Sequence, residues 1–206
     1  MLSQVNSFGL SGLNGFPVKV EAYISGGTNA YETVGLPDAA VKESKERVRS
    51  AMKNAGFEFP SGLHVTVSLA PADVRKEGSV YDLPIALALL SAEGVLKQAP
   101  LVRAIYLGEL ALNGEVRGVN GVLPMVISAR EAGETVFFVP RENAAEAAWE
   151  IEAGILHGGA DPLPGLLHGG VGQAYRLVGA DAAGDIGLHL DGKAVEAREA
   201  EAVGLG

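Results

Sequence analysis

Ser79 and Lys76 are the residues of this sequence that come nearest to a nucleophile with a base, because they stand three positions apart. A serine attacks a substrate only when a base within hydrogen-bond reach takes its proton. Lys76 lies in a charged stretch, Arg75-Lys76-Glu77-Gly78, and Ser79 follows it directly. We expect both residues to lie on one solvated loop, and nothing nearby in the sequence would depress the pKa of the lysine. We therefore interpret Ser79 and Lys76 as solvated residues and keep a relocated Ser/Lys dyad as an alternative.

A phosphate-binding loop is the second chemical possibility, and only residues 187–194, GLHLDGKA, come close to the required pattern. That pattern ends in a lysine followed by a hydroxyl residue that reaches magnesium. Here Ala194 lacks the hydroxyl, and Asp191 would place a carboxylate against the phosphates. We therefore expect no ATP binding and no cofactor in this chain.

A metal centre is also not expected. The chain contains no cysteine, which excludes disulfides and thiolate ligands. The four histidines are scattered without ligand spacing. They are His64, His157, His168 and His189.

The net charge of −9 argues against indiscriminate binding to a phosphate backbone. One predicted helix is nevertheless locally basic, and its cations are candidates for DNA contact. These cations are Lys42, Lys45, Arg47, Arg49 and Lys53. The alternative is a solvated helix face in which Glu43 and Arg47 form an i,i+4 pair.

The stretch 63–90 positions the candidate dyad. Residues 63–69 alternate between apolar and polar side chains, which predicts a strand with one buried face. A charged loop follows, and Asp82 then begins an apolar helix that ends near Gly94, with Asp82 as its expected cap.

The remaining elements are mixed in type. Residues 17–24 read as a strand and 30–34 as its antiparallel partner, followed by an amphipathic helix up to Gly56. Asn113-Gly114 predicts a tight hairpin, so the sheet cannot be wholly parallel. We expect an α+β fold, a mixed β-sheet layered with helices.

Composition divides the chain of 206 residues into two parts. We expect a folded domain over residues 1–153 and a glycine-rich, flexible tail over residues 154–206. No run of residues is apolar enough to cross a membrane, and the N-terminus lacks the features of a signal peptide, so we expect a cytoplasmic protein.

Four separated motifs resemble the N-terminal domain of the ComM/YifB family, called magnesium-chelatase-like. They are VGLPDAAVKESKERVRSAMKNAGFEFP, LAPADVRKEGSVYDLPIALALL, GELALNGEVRGVNGVLPMVISAREAG and VPRENAAEAA. Members of this family are bacterial AAA+ ATPases, and ComM acts in DNA branch migration during natural transformation. The resemblance implies self-association in a ring, DNA as a partner, and ATP and magnesium bound by an AAA+ module that these residues do not contain. The tail departs from the family pattern, which suggests truncation before that module.

The same motifs resemble the proteolytic domain of Lon, which implies a ribosomal-protein-like two-layer fold. Where Lon-like proteases carry the serine nucleophile this chain has Ile85, and where they carry the lysine it has Leu123. We expect these two aliphatic side chains to approach each other in the core. The resemblance thus predicts a non-catalytic interaction domain; the alternatives are a peptidase with a relocated dyad and a magnesium chelatase subunit.

Overall fold

The sheet is the central layer of this computed structural model. The structure describes the backbone of residues 1–151, 155–156, 174–178, 189–190 and 193–194, and the side chains of residues 1–98 and 101–147. Eight strands form one mixed sheet in the order β3-β4-β2-β1-β5-β8-β10-β9. Two further pairs, β6-β7 and β11-β12, are separate small ribbons.

The elements alternate along the chain. The strands are β1 (Leu2–Ser11), β2 (Asn14–Ser25), β3 (Ala30–Val34), β4 (His64–Ala70), β5 (Ile105–Tyr106), β6 (Glu109–Leu110), β7 (Val116–Arg117), β8 (Val136–Pro140), β9 (Ile155–Leu156), β10 (Ala174–Val178), β11 (His189–Leu190) and β12 (Lys193–Ala194). The helices are α1 (Ala39–Asn54), α2 (Asp82–Ala92), α3 (Gln98–Leu101), α4 (Val122–Glu131) and α5 (Ala144–Ile151), with a 3₁₀ turn at Arg141–Asn143. The expected α+β class, a mixed sheet with helices, is confirmed.

The first hairpin differs from the expected one. β2 pairs antiparallel with β1 on one side and with β4 on the other. β3 was expected to return against β2, but it pairs in parallel with β4 and forms the edge of the sheet. The prediction failed because both sides of β2 are already occupied by the longer strands β1 and β4.

Helices α2 and α4 pack on opposite faces of β1. The Ser3 hydroxyl donates to the carbonyl of Ala88 in α2, at 2.6 Å. Leu10 lies against Gly121 at the start of α4, where an added Cβ would collide with its side chain. Residues 3 and 10 are an odd number of positions apart in one strand, so their side chains point to opposite faces. We had expected the helix that contains Leu123 to lie beside α2. It lies instead on the other face of the sheet.

Helix α2 is the centre of the core, since ten of its eleven residues are buried. Such a helix needs a partner on every side, and α2 packs on β1, β2 and α1. Tyr81, rather than Asp82, occupies the N-cap position, and no side chain caps this helix. The expected capping role of Asp82 is therefore wrong, because its carboxylate is bound elsewhere.

Candidate functional site

A cleft of about 490 Å³ opens between the loop that precedes α2 and the loop that precedes α4. Both apolar and polar side chains line it. The lining residues are Leu10, Gly12, Glu77, Gly78, Ser79, Val80, Glu109, Gly118, Val119, Asn120 and Met125. The cleft thus includes Ser79, one member of the sequence-predicted pair, and adds Glu109, which sequence reasoning did not single out.

One wall of the cleft, residues 77–79, is anchored by the turn before α1. Asp38 caps α1 by accepting from the Val41 N–H at 2.8 Å, and its second oxygen accepts from the Gly78 N–H at 3.1 Å. The backbone of Lys76 adds two bonds, from its N–H to Leu36 and from the Asp38 N–H to its carbonyl. The loop is therefore held in one place by residues about 40 positions earlier in the chain.

Lys76 is buried, which corrects the expectation of a solvated side chain. Its ammonium donates to the carbonyl oxygens of Pro71 and, at 2.7 Å, of Val74. Burial lowers the pKa of Lys76, so the expectation that nothing nearby would do so was also wrong. These carbonyls belong to the loop itself, so the lysine braces the loop from inside.

Ser79 bonds to a carboxylate rather than to the lysine. Its hydroxyl donates to Oε2 of Glu109 at 2.5 Å. Glu109 is the first residue of the short strand β6, 30 positions later, so no local pattern in the sequence could have shown this contact. Ser79 and Lys76, which the sequence suggested as a pair, thus bond to different partners and not to each other.

The opposite wall, residues 118–120, is held by Asn143. The Asn143 amide accepts from the Val119 N–H and donates to the Val119 carbonyl, both at 2.9 Å. It also donates to Glu146 at 2.6 Å. A planar amide that satisfies both backbone groups of one residue fixes that residue like a strand partner. Both walls of the cleft are therefore held in place by side chains from distant elements.

A buried ion pair lies behind the cleft. Arg47 of α1 donates to both carboxylate oxygens of Asp82, at 2.6 and 2.9 Å, and the Leu110 N–H donates to the same carboxylate at 3.2 Å. Burial raises the pKa of Asp82 to about 6, while the bonds from Arg47 and Leu110 act in the opposite direction. The pair joins α1, α2 and β6, and so positions the neighbouring Glu109.

The two positions of the missing dyad are both aliphatic but differ in burial. Ile85 is fully buried, whereas Leu123 is half-buried at the start of α4. Neither side chain can give or take a proton. Their identification as degenerate dyad positions rests on the motif resemblance and stays a prediction.

The basic helix face is divided by the structure. Arg47 is committed to Asp82, and its i,i+4 contact with Glu43 is long, at 3.9 Å. The Lys45 ammonium lies 5.4 Å from the ring centroid of Tyr31 in β3. The candidate DNA contact is therefore reduced to four cations on one side of α1, which we call the α1 stripe. These are Lys42, Lys45, Arg49 and Lys53.

Other sequence expectations are only partly addressed. Within the described residues, no group of three His, Cys, Asp or Glu side chains could hold a metal ion. No helix in that part of the chain is long and apolar enough to cross a membrane. The rejected phosphate loop at 187–194 and most of the glycine-rich tail lie outside the described residues, and both expectations stay predictions.

Comparison with known proteins places the motifs in a family. Residues 20–143 match the model of the family described as subunit ChlI of Mg-chelatase. The chain belongs to this family. It is 46% identical over 145 residues to the uncharacterized protein YifB of Salmonella typhimurium, which covers 70% of this chain and 28% of YifB. It is 42% identical over 131 residues to the competence protein ComM of Haemophilus influenzae, which covers 64% of this chain and 25% of ComM.

A third relative extends the match towards the C-terminus. An uncharacterized protein of Mycobacterium tuberculosis is 41% identical over 183 residues, which cover 87% of this chain and 36% of that protein. Residues 1–153 make up a smaller share of the chain than these 87%, so the mycobacterial alignment continues beyond residue 153. In every one of these cases the chain spans well under half the length of its relative.

The resemblance to Lon is weaker but also found. Lon protease 1 of Thermus thermophilus is 29% identical over 134 residues, which cover 62% of this chain and 16% of the protease. Lon protease 2 of Bacillus subtilis is 26% identical over 103 residues. A Lon-like origin therefore agrees with the mixed α+β architecture of the structure.

Proposed function

We propose that this chain is a non-catalytic interaction domain of a ComM/YifB-type protein. In the intact protein it works together with an AAA+ module that binds ATP and magnesium and that these residues do not contain. The relatives support this proposal, since each is much longer than the chain and one of them is a competence protein. The intact assembly is a self-associated ring that acts on DNA in the cytoplasm.

The observation that carries the proposal is the set of partners around the candidate dyad. A Lon-like serine peptidase needs its hydroxyl bonded to the amine of a lysine, which takes the proton. Here the two motif positions are Ile85 and Leu123. The alternative lysine, Lys76, gives its ammonium protons to carbonyl groups of its own loop, and Ser79 donates to Glu109. Within the described residues, no lysine bonds to the Ser79 hydroxyl.

Turnover of peptides tests the non-catalytic part. The full chain and its Ser79→Ala variant are incubated with casein and with a library of fluorogenic peptides, and the released fragments are identified by mass spectrometry. We expect identical background rates for both proteins. A rate that disappears in Ser79→Ala, while the variant keeps its melting temperature, would establish a peptidase and overturn the proposal.

DNA binding is the second part, and the α1 stripe is the surface proposed to carry it. Contacts between lysine or arginine and phosphates make affinity fall steeply with salt. We expect the triple variant Lys42→Glu, Lys45→Glu, Arg49→Glu to lose DNA binding in a fluorescence anisotropy titration. The matched control reverses three exposed cations outside the stripe, Lys19, Lys97 and Arg103. If both triple variants behave alike, the stripe is not the DNA contact.

A further inference from the structure

We propose that the cleft between residues 77–79 and 118–120 binds a lysine or arginine side chain of a partner polypeptide without cleaving the polypeptide. The inference rests on the proposed interaction role, for which it names a site and the chemistry of the partner. It starts from a difference between two neighbouring carboxylates. Asp82, in the ion pair behind the cleft, is bonded to Arg47, whereas Glu109, on the cleft, is bonded to no cation of the described residues.

Glu109 is the carboxylate without a cation. It is half-buried and accepts the Ser79 hydroxyl, but it forms no salt bridge within the described residues. Arg47 is taken by both oxygens of Asp82. Arg117, which lies opposite Glu109 in β7, forms no salt bridge with it. A carboxylate removed from part of its hydration is stabilised best by a charge-assisted hydrogen bond. Since no cation of the described residues pairs with Glu109, a second molecule can supply such a donor.

The floor of the cleft fits the rest of a long cationic side chain. Leu10, Val80, Val119 and Met125 line it with apolar groups. Lysine and arginine bury their methylene stems along apolar surface while the charged end reaches a polar partner. The volume of about 490 Å³ lies in the range of small-ligand sites and leaves room for backbone on either side of one side chain.

The walls favour a polypeptide over a free amine. Gly12, Gly78 and Gly118 line the cleft, and a glycine leaves its backbone groups accessible to another chain. At Gly12 and Gly78 an added Cβ would meet nothing within 4 Å, so the space beside them is open. The Gly78 N–H and both backbone groups of Val119 are already bonded, so an extended segment would reach the backbone at Gly12 and Gly118, which a simple diamine cannot use in the same way.

The cleft is also organised before any ligand arrives. Asp38 holds Gly78, Asn143 holds Val119 by both backbone groups, and Ser79 orients Glu109. A site whose contacting groups are fixed by supporting hydrogen bonds loses little conformational freedom on binding.

The experiment is an NMR titration of the full-length chain with blocked pentapeptides. Acetyl-Gly-Gly-Lys-Gly-Gly-amide and its arginine counterpart are compared with the norleucine peptide, which has the same stem without the charge, and with 1,5-diaminopentane. We expect saturable shifts of the Met125 methyl and the backbone amides of residues 118–120. The norleucine peptide and the diamine should each bind about tenfold more weakly, as expected for the loss of one charge-assisted bond or of the backbone contacts.

Substitutions inside and outside the cleft test whether the peptide binds there. Glu109→Gln should weaken the lysine peptide about tenfold or more, whereas Glu115→Gln, an exposed glutamate outside the cleft, should leave the affinity unchanged. Asn120→Trp places a bulky ring at the exposed rim and should block the site even if Glu109→Gln fails to fold. Equal binding of the lysine and norleucine peptides, or shifts that avoid residues 118–125, would overturn the inference.

The same samples separate this inference from the proposed function. Mass spectrometry of the peptides after the titration shows whether they remain intact. Binding with intact peptides supports both the cleft and the non-catalytic role. Binding with cleaved peptides overturns the non-catalytic role alone and leaves the cation site standing. Intact peptides that do not bind overturn the cation site alone.

Discussion

Asp82 and Glu109 are two carboxylates of one network, and the structure treats them in opposite ways. Asp82 is fully buried and receives two bonds from Arg47 and one from the backbone of Leu110. Glu109 lies on the cleft, half-buried, with the single hydroxyl of Ser79. All the bonds of the Asp82 carboxylate serve to hold α1, α2 and β6 together. The second carboxylate is left available, and this difference separates the structural side of the domain from its proposed contact surface.

The cations of α1 show the same division. Arg47 serves the buried side, whereas Arg49, two residues later, is exposed on the α1 stripe. In sequence they are equivalent members of one basic helix. Only the partner supplied by a distant element decides which of them stabilises the fold.

The largest effect is expected for Arg47→Ala, which tests the structural side. Its loss leaves Asp82 as a buried charge without a partner, and breaking such a pair costs about 3 to 5 kcal/mol. Urea unfolding measures the change in the free energy of unfolding at pH 7. Arg49→Ala is the matched control and should stay within about 0.5 kcal/mol. Similar small effects for both would show that the ion pair does not join the helices.

Ile85→Ala should come next. Ile85 is fully buried, so its truncation removes apolar contacts and leaves a cavity, at a cost of about 2 to 5 kcal/mol. The cost of Leu123→Ala should be smaller, because Leu123 is half exposed and its site can relax. Thermal and urea melts of the two variants give the comparison. A neutral Ile85→Ala would contradict the assignment of this position to the core.

Lys76→Ala should cost about 1 to 3 kcal/mol, since it removes a buried side chain and the two charge-assisted bonds that brace the loop. This replaces the nearly neutral effect that a solvated lysine would have. The neighbouring Arg75→Ala removes an exposed side chain and is the control. Equal unfolding free energies for the two variants would contradict the burial of the Lys76 side chain.

The last effect is a pH dependence that comes from Asp82. Its pKa is raised by burial from 3.8 to about 6, so between those values the folded state holds a proton that the unfolded chain has lost. The contribution of Asp82 to stability should therefore fall as the pH rises from about 4 to about 6. The difference in unfolding free energy between the wild-type chain and Asp82→Asn, measured across this window, should decrease. An increase would mean that Arg47 outweighs burial and lowers the pKa.

Much of the fold follows from local patterns in the sequence. The alternation at residues 63–69 became β4, and the apolar positions of the amphipathic segment became the buried face of α1, with Asp38 as its cap. The edge position of β3 could not be read in this way, because the choice between β2 and β4 as its partner depends on β1. That first strand has no regular apolar alternation, since Ser3 and Ser7 occupy buried positions, so the sequence does not show it as a strand.

The candidate site was harder to predict than the fold. The motifs identified Ile85 and Leu123 as the positions that matter for catalysis, but they could not show that Lys76 turns inward or that Ser79 meets Glu109. Those contacts depend on side-chain direction within a loop and on a residue 30 positions away. The charged run Arg75-Lys76-Glu77 predicts solvent exposure by composition alone, and Lys76 departs from it because carbonyl groups surround its ammonium.

The central claim is that no activated serine remains in this domain, and covalent labelling tests it most directly. A fluorophosphonate probe reacts with a serine only when a base activates it. The intact chain and Ser79→Ala are incubated with the probe, and the mass of each protein is measured. The account predicts no adduct on either protein. A single adduct on the wild-type chain that maps to Ser79 and is absent from Ser79→Ala would contradict it.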